Sequence, residues 1–117
     1  MKKLRILVLL ATLINPIVDA KPLNSLWLWV CWQEYRNIEM SKGGLQILAG
    51  EYQGYVIAVI DLAESNNNPS ITIPSSVSIS DIFKAVGEFL DSSKDSLIFM
   101  DMPSYQIIPL AIKKKWP

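Results

Sequence analysis

The side chains able to do chemistry are few and do not converge. The chain has one cysteine, eleven carboxylates and no histidine. A thiol or hydroxyl nucleophile usually loses its proton to an adjacent imidazole, so Cys31 and every serine lack their ordinary base. There is no Gly-rich phosphate loop and no metal-ligand spacing. The carboxylates are scattered, and only Asp61 lies inside a strongly apolar segment. Near a helix C-terminus a carboxylate faces the wrong pole of the helix dipole. An acid kept there points to a specific partner, Arg36 or a lysine of the last helix. The plainer reading is a hydrogen-bonded or solvated acid, since carboxylates are rarely buried. Cys31 reads as a buried thiol acting as a small hydrophobe, or else as one half of an intermolecular bridge. The residues thus carry no motif for catalysis, and no catalytic residue, metal or cofactor is expected.

The elements that would position such a surface follow an address. Lys2, Lys3 and Arg5 precede the apolar run Ile6 to Ile14, and Val18-Asp19-Ala20 ends on a small residue. This pattern predicts a secretory signal peptide over residues 1–20, cleaved after Ala20. A membrane span needs about 20 apolar residues. The run is shorter and is interrupted by Asn15 and Pro16, so no stable span is expected after cleavage. Residues 21–117 are expected to form a single helical domain. They carry eight cations against ten acids, which leaves no basic footprint for nucleic acid.

Within that domain the spacing predicts a first helix over 24–42, capped by Asn24 or Ser25. Leu28, Cys31, Trp32, Tyr35 and Ile38 form its apolar stripe, and Gln33, Glu34, Arg36 and Asn37 its polar side. Three tryptophans, Trp27, Trp29 and Trp32, fall within six residues. One helix cannot easily turn all three inward, so the helix is packed on two sides or carries a dimer contact, with Trp27 and Trp29 as the candidate surface. Gly43-Gly44 breaks the chain. A second helix over 45–64 places Leu45, Leu48, Tyr52, Tyr55, Val56, Val59, Leu62 and Ala63 at steps of three and four. It is apolar nearly all round from Tyr55 to Ala63, which predicts a central helix covered on more than one side.

Residues 65–70 are turn chemistry, and Ile71-Thr72-Ile73 before Pro74 reads as an extended connector. Ser78 and Asp81 make a capping-box variant ahead of the apolar face Ile79, Ile82, Phe83, Val86, Phe89 and Leu90. Gly87 inside that helix costs about 1 kcal/mol relative to alanine, and its expected use is to let a neighbouring helix approach closely. Residues 91–96 read as a polar break, and 97–102 as either helix or ordered loop. Pro103 suits the first position of a last helix over 103–115. Pro109 predicts a kink in it, or a start near Ile108. Lys113, Lys114 and Lys115 complement its C-terminal dipole. The fold expected is all-α, a small compact bundle of four to five helices after a cleaved signal peptide.

The order Gly54-Tyr55-Val56-Ile57-Ala58-Val59-Ile60-Asp61, Ile73-Pro74, Val77-Ser78, Ile82, Val86, Phe89-Leu90, Pro103, Ala111-Ile112 and Trp116-Pro117 resembles the Tai (also called Rap) immunity family of bacterial type VI secretion. The likeness covers about residues 50–117. It implies a periplasmic, all-helical protein, commonly dimeric, that binds a cognate cell-wall amidase or similar toxin and blocks its active-site groove. On that resemblance Gly54, Tyr55, Asp61 and Pro74 are scaffold motif. The loop Asp91 to Met102 is the partner-binding candidate, presenting Ser92, Ser93, Lys94, Asp95 and Ser96. Charge reversal at Lys94 and Asp95 is then expected to weaken binding without unfolding the chain. Cysteines that pair in the family are replaced here by Tyr52, Thr72 and the chain end, and only Cys31, near an early family cysteine, remains. The alternative function is a small periplasmic helical chaperone or stress-protection protein. A toxin gene beside this one would favour immunity. The missing histidine disfavours a switch near neutral pH.

Overall fold

The computed structural model describes residues 23–66 and 71–117; the signal-peptide expectation and part of the 65–70 turn fall outside them. The fold is all-α. The described residues form five helices, α1 (Ser25–Glu39), α2 (Gln46–Ser65), α3 (Ile79–Ser93), α4 (Leu97–Asp101) and α5 (Ser104–Lys115). The connector Ile71–Ile73 has no regular structure.

Local chemistry sets most of the helix ends. The Asn24 side chain accepts the Trp27 N–H at 3.0 Å and caps α1. Ser41 and Gly43 then take positive φ, a conformation that ends helices. At Gly44 a Cβ would lie 2.8 Å from the Glu34 carbonyl oxygen, so the chain can turn back against α1 only with glycine there. The Glu34 carboxylate accepts the Leu45 N–H at 2.9 Å, at the start of α2. Ser78 and Asp81 exchange the two hydrogen bonds of a full capping box at the head of α3. Pro103 sits just before α5 rather than in its first turn, with ψ of 138°. The last helix does not begin at Ile108: it runs unbroken from Ser104 across Pro109.

Two helix starts are zipped together. Ser25 N–H and Oγ both donate to the Met102 carbonyl, at 2.8 and 2.9 Å. Ser104 N–H donates to the Leu23 carbonyl at 2.8 Å and its Oγ to the Asn24 carbonyl at 2.7 Å. Both serines are fully buried, so every polar atom in this joint is paired, as burial requires.

The expectation that α2 is central is overturned. The helix that touches all four others is α1, whereas α2 packs chiefly on α1 with a smaller contact on α5. Its buried line is Ala49, Tyr52, Val56, Ile60 and Ala63. Leu45 is 60% and Leu62 65% exposed. An all-round apolar pattern shows that both faces tolerate burial, not that the same chain covers both.

The core joins Leu28, Cys31, Trp32 and Tyr35 of α1 to Tyr52 and Val56 of α2, Val86 and Leu90 of α3, and Ile107, Ile108 and Ile112 of α5. Trp32, Tyr35, Tyr52 and Phe83 form one aromatic cluster, with centroids 5.4 to 6.1 Å apart. The Tyr52 hydroxyl, fully buried, donates to the Phe83 carbonyl at 2.5 Å. Gly54 differs: a Cβ there meets nothing within 4 Å. Gly54→Ala is therefore expected to raise stability by about 0.5–1 kcal/mol through helix propensity and a stiffer unfolded chain, read as a higher thermal midpoint.

Candidate binding surface

The late loop is shorter than its sequence suggests. α3 continues through Asp91, Ser92 and Ser93, and α4 begins at Leu97, leaving Lys94, Asp95 and Ser96 as the turn. Of the five candidate residues, Ser92, Lys94 and Asp95 are exposed. Ser92 Oγ donates to the Phe89 carbonyl at 2.8 Å. Ser93 is buried and Ser96 half-buried. Ser93 is 7% exposed, its carbonyl accepts the Ser96 N–H at 2.9 Å, and Ser96 Oγ caps α4 by accepting the Phe99 N–H at 3.3 Å. These two serines shape the turn.

What the turn does present is aliphatic. Leu97 and Ile98 are 86% and 80% exposed. The residues after them are anchored: Phe99 packs edge-on against Phe89 with centroids 6.0 Å apart, Met100 is buried, and the Met102 carbonyl is held by Ser25. Leu97-Ile98 is thus a fixed apolar tip beside one exposed cation and one exposed acid. The sequence signal was available, since two large aliphatics follow a polar run, but that pattern equally suits a buried helix start.

Asp91, two residues before the end of α3, ties that helix to α1. Its Oδ1 accepts Trp29 Nε1 and Gln33 Nε2, each at 3.0 Å. Its Oδ2 accepts Trp32 Nε1 and Arg36 Nη1, each at 3.1 Å. The four donors stand at i, i+3, i+4 and i+7 of α1, one helical face. Arg36 also donates to Gln33 Oε1 and lies over the Trp32 ring, 5.8 Å from its centroid. Gln33 and Arg36, read as solvent-facing, therefore turn to α3. The expected pairing of Asp61 with Arg36 does not form, because Arg36 lies on the face of α1 that meets α3; Asp61 is exposed. Nor does a lysine of the last helix take that place among the described contacts: Lys114 sits over the Phe89 ring at 5.6 Å.

An amide at Asp91 would turn its NH2 toward two donors whichever way it rotates, and Gln33 cannot compensate because its Oε1 is engaged by Arg36. Asp91→Asn is therefore expected to cost about 1–2 kcal/mol, the group being partly open to water. Denaturant titration of the variant checks this.

The three tryptophans find three environments. Trp32 is buried; Trp29 is half-buried with its N–H on Asp91; Trp27 is half-buried, edge-on to Tyr55 at 5.6 Å. α1 is packed on two sides, and each of its three indoles has a partner within the chain while Trp27 and Trp29 keep part of their surface open. Of the scaffold motif, Tyr55 is packed against Trp27, while Gly54, Asp61 and Pro74 are exposed. Beside the Asp91 cluster lies a cleft of about 470 Å3, floored by Trp32 and Tyr35 and rimmed by Lys84, Glu88 and Glu39. Its mixed rim selects no single ligand charge.

Cys31 is fully buried, which takes it out of reach of an intermolecular bridge. Burial, then the carboxylates of Glu51 and Glu34, push its thiol up from 9.0 to about 11. Burial likewise raises the phenols of Tyr35, Tyr52 and Tyr55, Tyr52 well above the usual tyrosine range. Each group holds its proton more tightly folded than unfolded. Their contribution to stability is full below the unfolded pKa and is lost as pH rises through the folded one. The thermal midpoint is expected to fall between about pH 9 and 11, and Cys31→Ala to flatten that fall, as melts across this range will read.

Comparison with protein-family models, with curated proteins and with solved structures finds no match.

Proposed function

We infer that this protein is an exported, immunity-type inhibitor, of the kind the Tai/Rap resemblance implies, that binds a cognate peptidoglycan amidase in the periplasm and blocks its groove. The observation that carries the reading is the Leu97-Ile98 tip. Two adjacent aliphatic side chains, 86% and 80% exposed, are held out at the start of α4, which is capped by Ser96 and anchored by Phe99 and Met100. Exposed aliphatics on a fixed support suit insertion into a partner's cleft, because little ordering entropy is lost on binding. Lys94 and Asp95 at the rim suit register rather than affinity.

The experiment is co-production in the periplasm with a peptidoglycan amidase of the type VI class, any amidase found encoded next to this gene being the first to try. Cells are expected to keep their density when the protein is present and to lyse when it is absent. Lysis in its presence removes the pairing.

A further inference from the structure

The outer face of α2 is apolar, acidic at its margins and left uncovered by the described residues. Opposite Tyr52, Val56 and Ile60, the helical repeat places Ile47, Gly54, Ala58 and Leu62 on one outward stripe. Ile47 is 78% and Leu62 65% exposed, and Gly50 and Gly54 are both open to a side chain arriving from outside. Beside Gly54 lies a shallow groove of about 510 Å3, lined by Trp27, Tyr55, Leu23 and Glu51. Over its 20 residues α2 has three carboxylates, Glu51, Asp61 and Glu64, and no cation. All three are exposed, and the one ion pair among the described residues is Arg36–Asp91.

We propose that this face is a docking surface for a basic amphipathic helix of a partner protein. Aliphatic side chains of the visiting helix pack along Ile47, Ala58 and Leu62. One large side chain enters the groove over Gly54, where the missing Cβ leaves room beside the packed Trp27–Tyr55 pair. Lysines or arginines beside those aliphatics meet Glu51, Asp61 and Glu64. This is helix-in-groove recognition, read at i, i+3, i+4 and i+7. The charge chooses the occupant. A second copy of α2 would bring three more carboxylates to the stripe and no cation. The surface is separate from the Leu97-Ile98 tip, which lies at the start of α4, so it stands whether or not the tip inserts into an amidase.

The test titrates the purified protein with a synthetic amphipathic leucine–lysine helix, and with a leucine–glutamate helix of the same leucine pattern, while amide NMR shifts are followed. The lysine helix is expected to bind and to shift the amides of Gly50, Gly54 and Ala58. The glutamate helix is expected to bind about tenfold more weakly, three partly exposed pairs being lost. Gly54→Leu fills the groove without changing charge, and Glu51→Lys with Asp61→Lys changes charge without filling it; each is expected to weaken binding by a similar factor at unchanged helicity. Equal binding of the two helices, shifts confined to other elements, or full affinity in Gly54→Leu would overturn the proposal. So would a concentration-dependent dimer dissolved by Gly54→Leu, or protection of the same amides by residues 1–20 in the uncleaved chain.

Discussion

Gly87→Ala is expected to lower the stability of the fold by about 3 kcal/mol, reversing the usual sign of a glycine-to-alanine change in a helix. An added Cβ would lie 2.2 Å from Trp32 Cδ2 and Cε2 and 2.4 Å from Cε3. These are atoms in the body of a rigid indole, so no side-chain tip can swing away. The ring itself is fixed. It is 5% exposed, its N–H is held by Asp91 at 3.1 Å, and its faces meet Tyr35 and Tyr52 at 5.8 and 5.6 Å. Relief therefore requires α1 and α3 to separate, which breaks the Asp91 cluster as well. The helix-propensity gain of about 1 kcal/mol is outweighed by overpacking of a closed site. In a domain of this size the loss corresponds to a fall in thermal midpoint of about 10–20 °C. Trp32→Leu in the same chain should return part of it, since a smaller side chain leaves room for the methyl group. An unchanged midpoint in Gly87→Ala would mean that the two helices do not meet through that indole.

The second large effect belongs to the tip. Leu97→Asp with Ile98→Asp is expected to weaken binding to the proposed amidase by about 100-fold or more, because burying each aliphatic side chain stabilises a complex by roughly 1.5–3 kcal/mol. The same pair should leave the thermal midpoint close to wild type, since both side chains are mostly in solvent in the free protein. That separation of binding from folding distinguishes a contact surface from a packing role. Calorimetric titration of the variant and its melt supply the two readings.

How far the sequence reveals this molecule can be followed residue by residue. Asn24 and the Ser78–Asp81 box were legible because a cap is local: it needs only a residue type at a fixed offset from an apolar run. Gly87 was legible because glycine costs helix stability and so asks for a steric reason. Asp91 was not. In the run Asp91-Ser92-Ser93-Lys94-Asp95-Ser96 it looks like one more solvated acid at a helix end, and its four donors lie 55 to 62 residues away. Nothing local marks such a hub, and its hold on α1 is what carries α3 through residues that favour a break. The role of α2 was misread for a related reason. Its period identifies a helix correctly, but only the packing shows that α1 takes the centre. The tip is half visible in the sequence: the polar run marks the stretch, but the burial of Ser93 and the capping role of Ser96, which accompany the exposure of Leu97 and Ile98, depend on the fold.

Inhibition through the tip is tested most sharply by titrating peptidoglycan cleavage by the amidase that pairs with this protein in the periplasmic co-production experiment, with wild-type protein and with the Leu97→Asp, Ile98→Asp variant. Cleavage should stop near equimolar wild-type protein and continue with the variant. Undiminished cleavage at an excess of wild type, or equal inhibition by both, would contradict the account.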